Sequence, residues 1–285
     1  MLVSGKSILQ HAHENGYAVG AFNVNNMEQV QAIIGAAEET NSPVIIQASQ
    51  GGLKYAGVEL IAAMSKTLAE NTTVPVAIHL DHGTDFTQIM KCLRNGFTSV
   101  MIDASHYELD ENIRRTKQIV EMAKAVGVSV EAELGKIGGV EDDISVDERD
   151  ATYTDPDEAA KFVAETEVDY LAIAVGTAHG PYKGEPKLDF DRIKVIKERL
   201  NMPLVLHGSS GVPEESIKKA VSLGINKINI DTDIRQSFHR AVKKFVAENP
   251  DVYDPRKIVG PARDAMREVI KTKMEMFGSA GKAWR

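Results

Sequence analysis

Three of the eight histidines share one local pattern, in which a histidine at the end of a β-rich run directly precedes a glycine. They are His82, His179 and His207, and they lie far apart in the sequence. Any one of them alone is more simply interpreted as a hydrogen-bonded core residue. Three neutral imidazoles that leave a fourth coordination position open are typical of a catalytic zinc site rather than a structural one. Together they predict a metal site, provided that the fold brings them together.

Short β-rich runs alternate with longer amphipathic helical patterns along the chain. The runs are rich in Val, Ile, Leu and Ala without clean alternation, as expected of parallel strands buried on both faces. They cover residues 17–23, 43–49, 74–82, 99–105, 128–135, 168–176, 202–208 and 226–233. Eight strands, each followed by a helix, predict an α/β fold of the TIM (β/α)8 barrel type. A doubly wound sheet is the alternative, but it usually has fewer strands, and no GxGxxG motif opens the first unit.

The length of 285 residues suits one barrel, whose typical size is about 250 residues. No linker divides the chain, so residues 1–285 are predicted to form a single domain with a C-terminal helical extension at about 255–285. The additional helix itself is expected at about 260–277. Two long loops, 135–154 and 176–190, follow strands and therefore belong to the face where barrels place their active sites.

The composition of the chain limits which classes of partner and which cellular compartment we expect. The chain has 33 basic and 41 acidic residues and a net charge of −8, which argues against nucleic acid as a partner. One cysteine, Cys92, favours a reducing compartment. The N-terminus lacks the charged-then-apolar order of a signal peptide, and no apolar run approaches the ~20 residues of a membrane helix. We therefore expect a cytoplasmic protein without a membrane partner.

Polar side chains stand at or just beyond the end of every predicted strand, which a purely stabilising barrel face would not require. The set is Asn23, Ser49, Asp81, His82, Asp103, Glu133, His179, His207, Asn229 and Asp231. Asp81 would stay ionised beside a cation, where it could exchange a proton or simply fix a histidine as an acceptor. Asp103 and Glu133 could orient the histidines or hold a second cation. Glu141, in GGVEDD, is on sequence alone a solvated charge.

Other histidines and the lysines carry no predicted catalytic role. His79 is expected to be an interior residue that supports Asp81, and His106 is left without a role. Surface positions are expected for His11, His13 and His239. Lys227 is placed at a strand start and no strand is expected to carry a lysine in its middle, which disfavours Schiff-base chemistry.

Glycine-rich and serine-rich turns after the last two strands indicate a phosphate site. HGSSG contributes Gly208, Ser209 and Ser210, and DT contributes Thr232, where barrels frequently bind phosphate through backbone N–H groups. Lys183, in HGPYKG, adds a cation on the adjacent loop. A metal, a phosphate site and proton-transfer acids together predict a small phosphorylated carbonyl substrate, with the metal polarising the carbonyl and stabilising an enediolate.

Seven motifs occur in order: LDHG, IDAS, VEAELG, GGVEDD, GTAHGPYKG, LHGSSG and KINIDTD. With them the chain resembles the class II, zinc-dependent fructose-1,6-bisphosphate aldolase family of the shorter-chain type, from GYAVGAFN to FGSAGKA. The resemblance implies reversible cleavage of fructose 1,6-bisphosphate to dihydroxyacetone phosphate and glyceraldehyde 3-phosphate, a step of glycolysis and gluconeogenesis. It also implies a monovalent cation, Na⁺ or K⁺, besides zinc, and we expect a homodimer or homotetramer.

The resemblance implies roles for the chemically active residues. By matched motif, His82, His179 and His207 would hold the catalytic zinc. Asp81 would exchange a proton with the C4 hydroxyl. Glu141 would move the proton at the dihydroxyacetone phosphate carbon, which replaces its interpretation as a solvated charge. A second metal position, where zinc can rest away from the substrate, matches Asp103 and Glu133.

The resemblance also implies the residues that bind the substrate. The dihydroxyacetone phosphate pocket matches Gly180, Lys183, Gly208, Ser209, Ser210 and Thr232. Asn229 would lie near the enediolate, with Asn23 and Ser49 near the substrate chain. Arg235 and Arg256 match arginines that reach the other phosphate, the latter across a subunit interface.

Several alternatives stay open at this point. Tagatose-1,6-bisphosphate aldolases differ in C4 stereochemistry and tend to have a small residue at the position of Asp231, whose carboxylate can accept a hydrogen bond from the C4 hydroxyl of the fructose epimer. Asp231 therefore favours fructose, although other ketose-phosphate aldolases of similar sequence remain. A metal-dependent hydrolase barrel would typically show an HxH pair where the first strand ends in Phe22-Asn23. A non-catalytic sugar-phosphate-binding barrel is the last alternative.

Overall fold

Eight parallel strands pair in a closed ring, which confirms the predicted barrel. The computed structural model describes residues 1–141, 144–147, 151–182, 184 and 186–284, with the backbone alone at residues 141 and 144–146. The barrel strands are β1 (Val19–Asn23), β2 (Val44–Ser49), β3 (Val76–Gly83), β4 (Ser99–Ile102), β5 (Ser129–Leu134), β8 (Tyr170–Ile173), β10 (Leu204–Leu206) and β11 (Ile225–Ile230). Around the ring their order is β1, β11, β10, β8, β5, β4, β3 and β2.

Helices cover the outside of the barrel, and most begin where the sequence supplies a cap. They are α1 (Gly5–Asn15), α2 (Met27–Thr40), α3 (Gln50–Ala56), α4 (Val58–Asn71), α5 (Phe86–Arg94), α6 (Leu109–Ala125), α7 (Pro156–Thr166), α8 (Phe190–Leu200), α9 (Glu214–Ser222), α10 (Thr232–Glu248) and α11 (Pro255–Met276). The side chains of Asn26, Asp85 and Asp155 accept backbone N–H groups at the starts of α2, α5 and α7. Such caps satisfy N–H donors that the first helical turn leaves unpaired.

The first helix closes the amino end of the barrel. Helix α1 contacts β1, β3, β5 and β11, and its buried residues Ile8, Leu9 and Ala12 pack with apolar side chains of the barrel interior. Gly5 lies so close to Tyr170, Ser129 and Ser99 that a side chain there would collide with them. The opposite end, where the strands finish, is therefore the end at which a site can open.

The C-terminal helix begins earlier than the sequence pattern indicated. Helix α11 starts at Pro255 rather than near residue 260 and packs against α2 and α10. The reason is local, because the Asp254 side chain accepts the N–H of Arg256 and proline is favoured in the first turn. No helix in the described part of the chain is long and apolar enough to cross a membrane.

The two long loops form a small sheet of their own above the barrel. Strand β6 (Gly138–Glu141) pairs with β7 (Ile144–Val146) in an antiparallel manner and with β9 (Ala178–His179) in a parallel manner. Gly139, in the register of His179, has φ 104°, and a side chain there would collide with the backbone of His179. The glycines of the first loop therefore allow it to lie directly against the strand that carries His179.

Candidate metal centre and active site

An irregularity in β3 turns Asp81 and His82 toward the barrel interior together. Neighbouring residues of a regular strand point to opposite faces. Here the pairing with β4 shifts, so that two residues, Asp81 and His82, oppose Met101 alone. His82 has φ 47°, in the left-handed region, and Gly83 lies where a side chain would collide with the Met101 carbonyl. The sequence LDHG thus allows two adjacent polar side chains, both buried, at one strand end.

The three predicted histidine ligands meet in the interior. Their ring centroids are 4.6 Å apart for His82 and His207, 4.9 Å for His82 and His179, and 5.9 Å for His179 and His207. One ring nitrogen from each lies within 4.8 Å of the others, and all three side chains are buried. His207 directly follows β10, whereas His179 belongs to β9, beyond the end of the barrel strand β8.

Two carboxylates set the orientation of two of these rings. Asp103 Oδ2 lies 2.8 Å from His82 Nδ1, and Glu131 Oε1 lies 2.8 Å from His207 Nε2. If each ring donates that N–H to its carboxylate, the lone pairs on His82 Nε2 and His207 Nδ1 face each other at 2.9 Å. These two nitrogens share a proton at this distance, and without that proton both are free imidazole donors with fixed tautomers, the kind of donor that binds a metal ion.

The charges around the histidines also favour a cation. Burial lowers the pKa of His82, but the carboxylates of Asp81 and Asp103 outweigh it and hold this pKa well above its ordinary value. Burial, together with the charge of His82, keeps the pKa of His179 and of His207 well below the ordinary value. His179 and His207 are therefore held in the neutral form, which is the form of imidazole that binds a metal ion. The carboxylates of Asp81 and Asp103 supply negative charge beside His82.

A second cluster lies beside the first and shares His82 with it. Ligand atoms of His82, Asp103 and Glu133 lie within 4.8 Å of one another. The second oxygen of Asp103 accepts the N–H of Ser105 at 3.1 Å and its hydroxyl at 2.8 Å. Burial and the neighbouring Asp103 carboxylate raise the pKa of Glu133 well above its ordinary value. The second predicted group of metal ligands is therefore assembled as well.

Three amide groups surround the carboxylate of Asp81. Asn23 donates to Oδ2 at 2.9 Å, Gln47 donates to the same oxygen at 3.1 Å, and Asn229 donates to Oδ1 at 3.1 Å. Gln47 also donates to Asn23 at 2.7 Å. Burial works to raise the pKa of Asp81, but the charges of His82, His207 and Lys227 outweigh it and lower this pKa. Asp81 is thus held as a fixed, ionised acceptor next to the histidines.

Sequence reasoning missed Gln47 and Glu131. Both lie two residues before a polar strand end that was predicted, Gln47 before Ser49 and Glu131 before Glu133. Residues i and i+2 of a strand share a face, so this spacing was the available signal. Their partners come from distant strands, which no local pattern indicates.

Two expectations about the interior were wrong. His79 is buried in the interior as expected, but it does not support Asp81; its Nδ1 lies 2.6 Å from Ser99 Oγ and its Nε2 3.3 Å from Glu131. Lys227 is not at a strand start, because β11 runs from Ile225 to Ile230. Its ammonium group is fully buried, 2.8 Å from Glu131 Oε2. This ion pair engages the lysine, so imine chemistry stays disfavoured.

Two of the histidines expected at the surface are half-buried. His11 lies 2.8 Å from the Tyr17 hydroxyl and stacks on Trp284, and His13 Nδ1 lies 2.7 Å from Lys197 Nζ. Both belong to α1 at the closed end of the barrel, where contacts with the C-terminal segment and α8 cover them. His239 is exposed as expected.

A cavity of about 190 Å³ opens next to the histidines, and most of the residues predicted to bind the substrate line it. The predicted residues that line it are His179, Gly180, Gly208, Ser209, Ser210, Asn229, Asp231, Thr232 and Arg235. The amino end of α10 faces this cavity through Thr232, which follows the N-cap Asp231. Arg235 Nε donates to Asp231 Oδ1 at 2.8 Å, which holds that carboxylate at the cavity wall.

Other predicted substrate residues lie elsewhere. Ser49 is buried beside Asp81 in the strand register, and its hydroxyl accepts the N–H of Gly52 as the cap of α3. Arg256 is exposed and pairs with Asp254 at 2.9 Å. Lys183 lies outside the described residues. Of Glu141 only the backbone is described, and it belongs to β6, next to β9.

The closed barrel, with a buried histidine–carboxylate cluster at the carboxyl ends of its strands, defines a (β/α)8 enzyme with a candidate metal centre. Residues 3–282 match the family described as "Fructose-bisphosphate aldolase class-II". The chain belongs to this class II fructose-bisphosphate aldolase family.

Individual relatives agree with the family over almost the whole chain. A fructose-bisphosphate aldolase of Geobacillus stearothermophilus is 52% identical over 285 residues, 99% of each chain. A sulfofructosephosphate aldolase of Alkalicoccus urumqiensis is 46% identical over 281 residues, 99% of this chain and 98% of the other. The crystal structure of the YdjI aldolase from Escherichia coli K12 superposes with a TM-score of 0.89 at 39% identity and covers 100% of both chains.

Proposed function

We propose that this protein reversibly cleaves fructose 1,6-bisphosphate to dihydroxyacetone phosphate and glyceraldehyde 3-phosphate, on a zinc ion held by His82, His179 and His207. The observation that carries the proposal is the convergence of these three buried histidines beside Asp81, in a chain of the class II family. When bound, zinc would act as a Lewis acid at the substrate carbonyl. The second cluster, Asp103 and Glu133 with His82, supports a resting position for the metal away from the substrate.

Asp81 is the proposed base for the C4 hydroxyl. In the cleavage direction it takes the hydroxyl proton while the C3–C4 bond breaks, so that C4 becomes the aldehyde of the leaving product. The electron pair of the broken bond stays on C3, where Glu141 returns a proton. The three amides around Asp81 keep its carboxylate in place by hydrogen bonds and, being neutral, do not place a positive charge beside it.

The cavity beside the histidines is the proposed site of the dihydroxyacetone phosphate end. Backbone N–H groups of glycine-rich turns and of a helix amino terminus bind phosphate well, and Gly180, Gly208 and the start of α10 provide both. Ser209, Ser210 and Thr232 add hydroxyl groups, Lys183 a charge, and Asn229 an amide near the enediolate carbons. Asn23 and Ser49 are proposed along the substrate chain.

The far phosphate is assigned to two arginines in different surroundings. Arg235 lines the cavity of its own chain. Arg256 is exposed, which is consistent with a contact across the interface of a homodimer or homotetramer. The monovalent cation, the single-domain organisation of residues 1–285 and the cytoplasmic location remain predictions.

Substrate choice within the family is the finer part of the proposal. Relatives of similar identity carry the names of a fructose-bisphosphate aldolase and a sulfofructosephosphate aldolase, so identity alone does not select the sugar. Asp231, held at the cavity wall by Arg235, supports the fructose epimer over tagatose 1,6-bisphosphate, because its carboxylate can accept the C4 hydroxyl in one configuration.

A coupled cleavage assay on fructose and tagatose 1,6-bisphosphates, with and without chelator, tests the function. We expect cleavage of the fructose epimer that chelation abolishes and zinc restores. Full activity in a chelator-dialysed sample would refute the metal role, and hydrolysis of a phosphate ester at a comparable rate would refute aldol cleavage.

The variant Asp231→Ala tests the choice of epimer. We expect the ratio of kcat/KM for fructose over tagatose 1,6-bisphosphate to fall about tenfold, the effect of losing one hydrogen bond to a charged group. Asp191→Ala, at an exposed position on α8, is the control. An unchanged ratio would remove Asp231 from the discrimination.

A further inference from the structure

The hydroxyl group of Tyr182 joins two loops that are distant in sequence. It accepts the backbone N–H of Ala178 at 2.8 Å and donates to the carbonyl of Gly208 at 2.7 Å. The side chain is half-buried and packs against the main hydrophobic core. The Tyr182 hydroxyl therefore accepts a hydrogen bond from one loop backbone and donates one to the other at the same time.

The backbones around Ala178 and Gly208 are not paired as neighbouring strands, so another group has to connect them. Strand β9 pairs with β6, and β10 ends at Leu206, before the turn of residues 207–211. Within the described residues, no backbone hydrogen bond joins residues 176–182 to residues 207–212. The two segments are nevertheless in close contact, since a side chain at Gly208, with φ 60°, would collide with the backbone of Ala178.

The bridge lies beside the candidate phosphate cavity. Gly180 is two residues from Ala178, and Gly180 and Gly208 both line the cavity. Backbone N–H groups from two loops bind a phosphate strongly only if the loops are held at a fixed separation. The side chain of Tyr182 does not line the cavity itself, so its effect on a ligand must pass through these two backbones.

We propose that Tyr182 is a positioning residue that holds the loops of Gly180 and Gly208 together and thereby forms the phosphate pocket. The inference rests on the proposed function for the identity of the ligand, a phosphate. His207 is oriented by Glu131, and His179 is placed by the pairing of β9 with β6, so each of these two metal ligands has a support of its own besides this bridge.

Tyr182→Phe removes the hydroxyl and keeps the ring, which preserves the packing. In the zinc-loaded protein we expect binding of inorganic phosphate, measured by calorimetric titration, to weaken about tenfold because two hydrogen bonds are lost. The KM for fructose 1,6-bisphosphate should rise by a similar factor while kcat changes less than about threefold, because the chemical groups stay in place. Hydrogen exchange of the Ala178 amide should accelerate, and the zinc content should stay the same.

Tyr153→Phe is the matched control, since Tyr153 lies in the neighbouring loop and is 49% exposed. It should behave as the unmodified protein in every measurement. Faster exchange at Ala178 with an unchanged phosphate affinity and KM would overturn the proposal, because the bridge would then be structural only. No phosphate binding by the unmodified protein would also overturn it.

The failure of the proposed function has a different signature. If the unmodified protein binds phosphate, and Tyr182→Phe weakens that binding, but neither cleaves fructose 1,6-bisphosphate, then the inference about Tyr182 stands and the proposed function fails.

Discussion

The three candidate metal ligands are held in two different ways. His82 and His207 stand at the ends of barrel strands, and each is hydrogen-bonded to a buried carboxylate. Asp103, just beyond the neighbouring strand β4, contacts His82, and Glu131, on β5 across the barrel interior from β10, contacts His207. His179 stands on the two-residue strand β9, whose backbone pairs with β6 above the barrel. Two ligands are thus part of the barrel wall, and the third is part of the loop sheet.

This difference links the third ligand to the loop of the proposed proton donor. Strand β6 carries both Gly139, which contacts the backbone of His179, and Glu141. A movement of β6 therefore displaces the surroundings of His179 and the backbone of Glu141 together. The wall ligands are instead oriented by side chains of the closed barrel, Asp103 and Glu131.

The largest expected effect is the loss of a ligand from either region. His179→Ala should abolish bound zinc and cleavage activity together, as should His82→Ala, because three imidazoles are needed to hold a catalytic zinc. Metal analysis after dialysis and the cleavage assay check this, with His239→Ala, at an exposed position on α10, as the control. Retention of zinc in His179→Ala alone would show that the wall ligands suffice.

A change at Asp81 should separate chemistry from metal binding. Asp81→Asn keeps the shape of the side chain but removes the base, and we expect kcat to fall about 10²- to 10⁴-fold. Zinc content should be retained, because Asp81 is not one of the ligands. Asp191→Asn serves as the control, and a kcat within a few-fold of the unmodified value would contradict the proposed role.

The support of the wall ligands can be tested at the ion pair of Glu131 and Lys227. Glu131→Met combined with Lys227→Met removes the acceptor of His207 while keeping the interior neutral, and zinc affinity should fall about 10- to 100-fold. Glu131→Gln combined with Lys227→Met keeps a hydrogen-bond acceptor for His207, and its zinc affinity should fall less. Competition with a chelator measures both, and equal affinity in the two double variants would mean that the acceptor does not orient His207.

The support of the loop ligand can be tested at Gly139. Gly139→Ala adds a side chain that collides with the backbone of His179 at a positive φ. Because β6 lies in a small sheet outside the barrel, it can move away, and we expect only about a tenfold loss of zinc affinity and kcat, from a strain of about 1–2 kcal/mol. Gly127→Ala also has a positive φ, of 72°, but open space around it, and it should leave both values unchanged. Loss of kcat without loss of zinc affinity would show that β6 positions Glu141 but is not needed to hold His179 at the metal.

Local patterns were sufficient for the barrel and for most of the candidate site. Buried parallel strands produce continuous apolar runs, and polar residues at the ends of those runs had to meet at one face once the ring closed. The motif LDHG placed Asp81 and His82 correctly for this reason. The position of α11 was inaccurate only at its start, where Asp254 and Pro255 initiate the helix.

Partners between distant strands could not be predicted in this way. Glu131 contacts His207, His79 and Lys227, which come from three other strands or strand ends, and Gln47 contacts Asp81 across the register of β2 and β3. The position of Lys227 was wrong because β11 begins at Ile225 and ends at Ile230, which leaves the lysine inside a short strand with its ammonium group beside Glu131.

The sequence by itself determined the order of elements, the three histidines, Asp81 and the glycine turns, because each depends on residue type and local spacing. Only the tertiary structure decided which nitrogen of each wall histidine faces its carboxylate, that His179 belongs to the loop sheet, and that Tyr182 joins two loops. These features depend on distances between segments that the closed barrel brings together, and such distances are not encoded in the spacing along any one segment.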